Sequence, residues 1–253
     1  MAVVGVFSGS SKLQFEADEP SQSNPTASPL QSVAQLDTPW GRVSAEPQQQ
    51  LRHGHRLIYM HRHGDDHDQA PHEINYRANL WCLQALGVDY VIGTHTVGSI
   101  DVALDVGDLV LPDNLIDYTW GRPSTYSDQL RHIEFSDPYD ATLRRKLMDA
   151  HDAELGSRLV AGGVYGVTQG PRLETAAEIV RMARDGATLV GMTGMPEAAL
   201  ARELELAYCS LCLVVNPAAG LTTQAIDMHE LRHASEVGAA HLANLIDAFL
   251  QRL

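Results

Sequence analysis

Five short stretches of this chain carry the residue types that hold an anion. They are Ser8-Gly9-Ser10-Ser11, His61-Arg62-His63-Gly64, Thr94-His95-Thr96-Val97-Gly98, Gln169-Gly170-Pro171-Arg172-Leu173 and Met192-Thr193-Gly194-Met195. Hydroxyls, glycine backbone amides and a guanidinium together make a cradle for a phosphate-sized anion. Ser10, Arg62, Thr94 and Thr193 are the side chains that would share that work. One such turn is ordinary, because Gly and Ser are common turn residues; their recurrence at successive strand ends is the signal. The first turn is neither a P-loop, since no Gly-Lys-Ser/Thr follows its glycine, nor a Gly-x-Gly-x-x-Gly fingerprint, so nucleotide hydrolysis and nicotinamide chemistry lose support.

Two polar residues could read a ligand. Asn216 stands before Pro217 and offers one acceptor and two donors, which suits a base edge carrying a carbonyl and a ring nitrogen. An Asx turn ahead of the proline is the structural alternative. Glu174 could likewise face a ligand or favour a helix N-terminus through the dipole. The histidines and aspartates His61, His63, Asp65, Asp66, His67, Asp68 and His72 include metal-ligating types, but their spacing matches no zinc signature and the acidic run fits an exposed loop. Cys209 and Cys212, three apart in an apolar run, would point to opposite faces of a strand and read as buried structural thiols.

The elements that must position these residues follow from periodicity. Apolar runs at 3–7, 57–60, 90–92, 164–167, 188–192 and 208–215 predict strands, each opening into one of the polar stretches or, for the last, into Asn216-Pro217. Helical patterns are predicted at 72–86 through Ile74, Ala78, Trp81 and Ala85, at 173–184, from Pro196 to Leu204, and at 229–253 along Ala234, Val237, His241, Leu245 and Phe249. Strands alternating with helices predict an α/β fold with a largely parallel or mixed sheet. Residues 16–35, rich in Pro, Ser and Gln, predict an irregular excursion.

The chain has 253 residues, 44% of them hydrophobic, and 32 acidic against 18 basic residues give a formal charge of −14. That field repels nucleic acid and anionic membranes, and no apolar run reaches the roughly 20 residues of a membrane span. The N-terminus lacks a secretory signal pattern. Three cysteines cannot all pair within one chain, so a reducing compartment, the cytoplasm, is expected.

Taken in order, the motifs resemble those of the trimeric purine nucleoside phosphorylases, and within them the methylthioadenosine phosphorylase branch. The resemblance rests on His61-Arg-His-Gly64, Ile74-Asn-Tyr-Arg-Ala-Asn-Leu-Trp81, Gln169-Gly-Pro-Arg-Leu-Glu174 and Gly191-Met-Thr-Gly-Met-Pro-Glu197. The run from Met192 to Glu203 and Val214-Val-Asn-Pro-Ala-Ala-Gly220 are similar to those of bacterial S-methyl-5′-thioinosine phosphorylases. The resemblance implies one nucleoside phosphorylase domain over 1–253, a central mixed β-sheet flanked by helices, with an insertion around 16–35.

It also implies phosphorolysis: phosphate attacks the anomeric carbon while the purine leaves. Ser10, Arg62, His63, Thr94, His95 and Thr193 fall at the family's phosphate positions. Thr96, Leu173, Met192 and Met228 fall around the nucleoside, and His132 where a neighbouring subunit lends a residue to the 5′ pocket. Asn216 and Glu174, with Ala218 in place of a second carboxylate, resemble the enzymes of 6-oxopurines, so 5′-methylthioinosine is the expected substrate. Methylthioadenosine phosphorylase and general purine nucleoside phosphorylase are the alternatives within the family. A nucleoside-binding scaffold with impaired catalysis and a metal-dependent hydrolase using His61–His72 stand outside it. The expected partners are a purine nucleoside, inorganic phosphate as co-substrate and two further copies of the chain, with no cofactor and no metal.

Four features depart from the family pattern. The first turn lacks the usual Gly-Gly-Thr-Gly, His95 and Thr96 replace smaller residues, Asp65, Asp66 and Asp68 place negative charge near an anion site, and residues 16–35 are long for a connection in a compact domain.

Overall fold

A computed structural model describes residues 1–13, 15, 31–32, 37–128, 130–152 and 155–253. Most of the predicted excursion at 16–35 lies outside the described residues; Gln31–Ser32 within it forms a short strand.

The strands are β1 (Val3–Ser8), β2 (Gln31–Ser32), β3 (Gln48–Arg52), β4 (His55–His61), β5 (Tyr90–Ser99), β6 (Leu109–Leu111), β7 (Asn114–Asp117), β8 (Leu159–Ala161), β9 (Val164–Val167), β10 (Leu189–Gly191) and β11 (Ala207–Pro217). The helices are α1 (Tyr76–Ala85), α2 (Ala141–Ala150), α3 (Ala176–Asp185), α4 (Glu197–Glu203) and α5 (Met228–Gln251).

All the strands join one mixed sheet, with one path running β2-β3-β4-β1-β5-β10-β9-β7 and a branch carrying β11, β6 and β8. The branch point is β5. Its N-terminal half pairs with β1, its end pairs antiparallel with β10, and nearly its whole length runs parallel to β11. β1 and β4 are parallel neighbours, so β1, β4, β5 and β11 all deliver their C-terminal ends to one edge of the sheet. Near-continuous burial of β1, β5 and β11 is the pattern of strands covered on both faces. α4 and α5 pack on β11, α2 on α5 and α1 on α4.

Several expectations are corrected. The stretch from Gly93 to Gly98 is not a loop: β11 and β10 hold it in strand as far as Ser99. α1 begins at Tyr76 rather than 72, because Asn75 caps it by accepting from the Ala78 amide while its own amide donates to the Trp40 and Arg42 carbonyls. α3 begins at Ala176, behind a capping box of Thr175 and Glu178, which leaves Glu174 in the loop before the helix. α5 buries Leu245 and Phe249 of the predicted face together with Ser235, Gly238, Leu242 and Ile246, whereas Ala234 and His241 are only partly buried and Val237 is exposed.

Candidate active site

A cavity of about 440 Å³ opens at the carboxyl ends of the parallel strands, where the sheet divides at β5. That is the place where open α/β sheets accept ligands. Turns after β1 and β4 supply Gly9, Ser10, His63 and residues 67–71; β5 supplies Thr96, Val97 and Gly98. The end of β10 supplies Met192 and Thr193, the loop before α3 supplies Leu173 and Glu174, and β11 supplies Val215 and Asn216. Ile226, Met228 and Leu231 close the wall at the start of α5.

Nine predicted residues therefore meet at one cavity: Ser10, His63, Thr96, Leu173, Glu174, Met192, Thr193, Asn216 and Met228. Four do not line it: Arg62, Thr94, His95 and His132. Arg62 is fully buried, with Nε and Nη2 donating to the two Glu197 carboxylate oxygens at 2.9 Å and Nη1 donating to the Thr94 carbonyl at 2.6 Å. Thr94 turns its hydroxyl to the Phe7 carbonyl at 3.0 Å, and His95 is buried one layer behind Thr193. The cradle predicted from Ser10, Arg62, Thr94 and Thr193 thus has only Ser10 and Thr193 on the wall. His132 is exposed and lies outside the cavity of its own protomer.

At the polar end, His63 Nδ1 lies 2.8 Å from the Gln69 carbonyl, which can only accept, so Nδ1 carries the proton and Nε2 is left for the cavity. Burial pushes the His63 imidazole down to about 4, with Arg62 and the His67 ring, tilted at 40° with its centroid 4.5 Å away, adding to the shift. The ring is neutral at pH 7. His61 turns away, its Nδ1 near Ser8 Oγ and the Tyr59 hydroxyl at 3.0 and 3.2 Å. His61 and His63 therefore do not face a common point, and among the described residues no group of three or more His, Cys, Asp or Glu could hold a metal ion.

At the other end, Glu174 Oε1 accepts from the Thr168 hydroxyl at 2.5 Å. Asn216 donates through Nδ2 to the Pro217 carbonyl at 2.7 Å, leaving a second N–H and Oδ1 for a ligand. Its amide lies over Gly98, where a β-carbon would come within 3.4 Å of Nδ2. Cys82, Cys209 and Cys212 are free and buried. Among the described residues, no helix is long and apolar enough to cross a membrane.

Other functional residues escaped the sequence. Arg122 ties together the loops that form the wall, donating to the carbonyls of Met192, Met195, Thr168 and Gln169. Nothing in Gly121-Arg122-Pro123 signals this. Glu197 was visible only as part of a motif block. A carboxylate directly after Pro196 at a buried helix start was the available hint that Arg62 had a partner. Ile226 and Leu231 extend the apolar wall beside Met228.

The chain matches the family model described as the phosphorylase superfamily over residues 5–251. The probable S-methyl-5′-thioinosine phosphorylase of Pseudomonas syringae pv. tomato is 43% identical to it over 256 residues, spanning 98% of this chain and all of that one. The probable 6-oxopurine nucleoside phosphorylase of Thermococcus kodakarensis is 41% identical over 196 residues, covering 74% and 72% of the two chains. Among solved structures, a methylthioadenosine phosphorylase from an antarctic soil metagenomic library superposes with a TM-score of 0.85 at 28% identity, covering 98% of this chain and 85% of that one.

Proposed function

Since the chain belongs to the phosphorylase superfamily, we propose that it catalyses phosphorolysis of 5′-methylthioinosine, giving hypoxanthine and 5-methylthioribose 1-phosphate. A phosphate oxygen forms the new bond to the anomeric carbon as the carbon–nitrogen bond to the purine breaks and its electron pair leaves with the base. Inorganic phosphate is a co-substrate, and no cofactor takes part.

The observation that carries the substrate assignment is the presence of Asn216 and Glu174 together in one cavity that Ile226, Met228 and Leu231 also line. Negative charge grows on the leaving base, and Asn216 donating to O6 and N7 stabilises it where it develops. Glu174, oriented by Thr168, accepts the N1 hydrogen that a 6-oxopurine carries and a 6-aminopurine lacks. Ala218 leaves no second carboxylate to receive a 6-amino group. Ile226, Met228 and Leu231 offer a methylthio group apolar contacts and give a 5′-hydroxyl no partner. The phosphate sits at the opposite, polar end, against Ser10, His63 and Thr193.

The working unit of this reading is a trimer, and the exposed position of His132 is compatible with a residue lent to a neighbouring subunit. Three buried free thiols fit the cytoplasm. Base release from methylthioinosine, methylthioadenosine, inosine and adenosine, each with and without phosphate, tests the proposal by chromatography. Phosphate-dependent hypoxanthine from methylthioinosine is expected to dominate. Adenine release instead overturns the base assignment, and turnover of none of the four overturns the reaction.

A further inference from the structure

A chain of buried polar groups runs behind the polar end of the cavity and ends on the hydroxyl of Thr193. His95 Nδ1 lies 2.7 Å from Thr193 Oγ1, and its Nε2 lies 3.2 Å from both the Tyr208 hydroxyl and Ser210 Oγ. Tyr208 donates to Glu197 Oε1 at 2.9 Å, and the same carboxylate receives the Arg62 guanidinium. Gly93 leaves room for this arrangement: a β-carbon there would collide with the Tyr208 hydroxyl, the Glu197 carboxylate and His95 Nε2. Of the whole set only Thr193 touches the cavity.

We propose that His95 is a positioning residue for the anion site: as its Nδ1–H tautomer it donates to Thr193 Oγ1, which leaves the Thr193 hydroxyl proton aimed into the cavity at a phosphate oxygen. The inference rests on the reading of phosphate as co-substrate. Its logic is donor and acceptor accounting. A neutral imidazole has one N–H and one lone pair. Burial, with Arg62 and His63 nearby, holds His95 well below the ordinary histidine range, so the ring is neutral, and the charged groups around it are Arg62 and, 3.9 Å from Nε2, Glu197. Tyr208 has its proton on Glu197, so Ser210, whose Oγ lies 3.3 Å from the Tyr208 hydroxyl and 3.2 Å from Nε2, is the hydroxyl placed to donate to Nε2 and hold the proton on Nδ1. The opposite tautomer would draw the Thr193 proton inward and turn an oxygen lone pair toward the anion. One buried tautomer therefore decides whether Thr193 attracts phosphate or repels it, at no cost of reorganisation during the reaction.

Replacing His95 by two different amides separates its two ends, because an Asn amide sits at the level of Nδ1 and a Gln amide at the level of Nε2. His95→Asn is expected to keep the phosphate KM within about threefold of the parent, whereas His95→Gln raises it on the order of 10- to 100-fold. The nucleoside KM should change little in either. Ser210→Ala, which touches neither Thr193 nor the cavity, is expected to raise the phosphate KM several-fold by releasing the tautomer. In a Thr193→Val background, His95→Gln should add nothing further. Equal phosphate KM values for the Asn and Gln variants, an unchanged value in Ser210→Ala, or additive losses in the Thr193→Val background would each overturn the inference. If the parent enzyme releases base without any dependence on phosphate, the phosphate reading itself falls, and that is seen before any variant is made. Should the Gln variant fail to fold, the Ser210→Ala phosphate KM decides alone.

Discussion

At the polar end of the cavity the side chains hang from the ends of β1, β4 and β10 and are locked from behind by Arg62, Glu197, Tyr208 and His95, all buried. At the base end, Leu173 and Glu174 stand on a loop, Asn216 on the last residues of β11, and Met228 on the first turn of α5, where it is half exposed. The polar end is thus backed by a buried network built on the charge-assisted Arg62–Glu197 pair, and the base end by Arg122 on the Thr168–Gln169 segment and by the Thr168–Glu174 contact. This difference teaches where the fold keeps its common chemistry and where it adjusts specificity. On the proposed reading, the contacts needed for every substrate are built into the sheet, and the residues that choose a substrate sit on segments that can change without disturbing the core.

The contrast can be broken first at its rigid side. Glu197→Gln would leave the Arg62 guanidinium buried without its counter-charge, a loss of about 3–5 kcal/mol. For a chain of this size that lowers Tm by roughly 10 °C, and calorimetry showing a change under 2 °C would mean that the pair does not anchor the site. At the adjustable side, Asn216→Asp is expected to shift the ratio of kcat/KM for methylthioinosine over methylthioadenosine on the order of 100-fold toward the 6-amino substrate, with Tm little affected. Met228→His should move preference from the methylthio group toward a 5′-hydroxyl by about tenfold and leave the base preference alone. A parallel loss of both preferences would show that the two specificities are not separate.

The smallest effect is a pH effect. His63 is held near 4 when folded and is ordinary when unfolded, so the unfolded chain binds the extra proton first. Stability is fully present above pH 6.5 and is lost as pH falls toward 4. Between pH 6.5 and 5.5 this single group contributes a loss of about 1 kcal/mol, or roughly 3 °C in Tm. His63→Gln should flatten that part of the profile, and an unchanged slope would place the acid sensitivity elsewhere.

The sequence made the ends of the main strands legible, because long buried strands such as β1 and β11 read as apolar runs wherever they are placed. Short strands such as β3, β6, β7 and β8 were not visible; with three to five residues each, they owe their existence to their pairing partners. The same limit applies to the site. Position along the chain located Ser10, His63, Thr193 and Asn216 at strand ends, but it could not say which way a neighbouring side chain turns. Arg62 reads as a free cation beside a glycine turn, and is instead held by Glu197, 135 positions further along the chain. Arg122 stayed hidden for a similar reason: most of its partners are backbone carbonyls from two distant loops, which leave no mark on side-chain chemistry.

The most direct test of the proposed reaction follows the sugar product. With methylthioinosine and phosphate, phosphorus NMR should show a sugar 1-phosphate ester appearing in one-to-one proportion with hypoxanthine. Hypoxanthine accompanied by free methylthioribose and an unchanged phosphate signal would contradict phosphorolysis and make the cavity a site of hydrolysis.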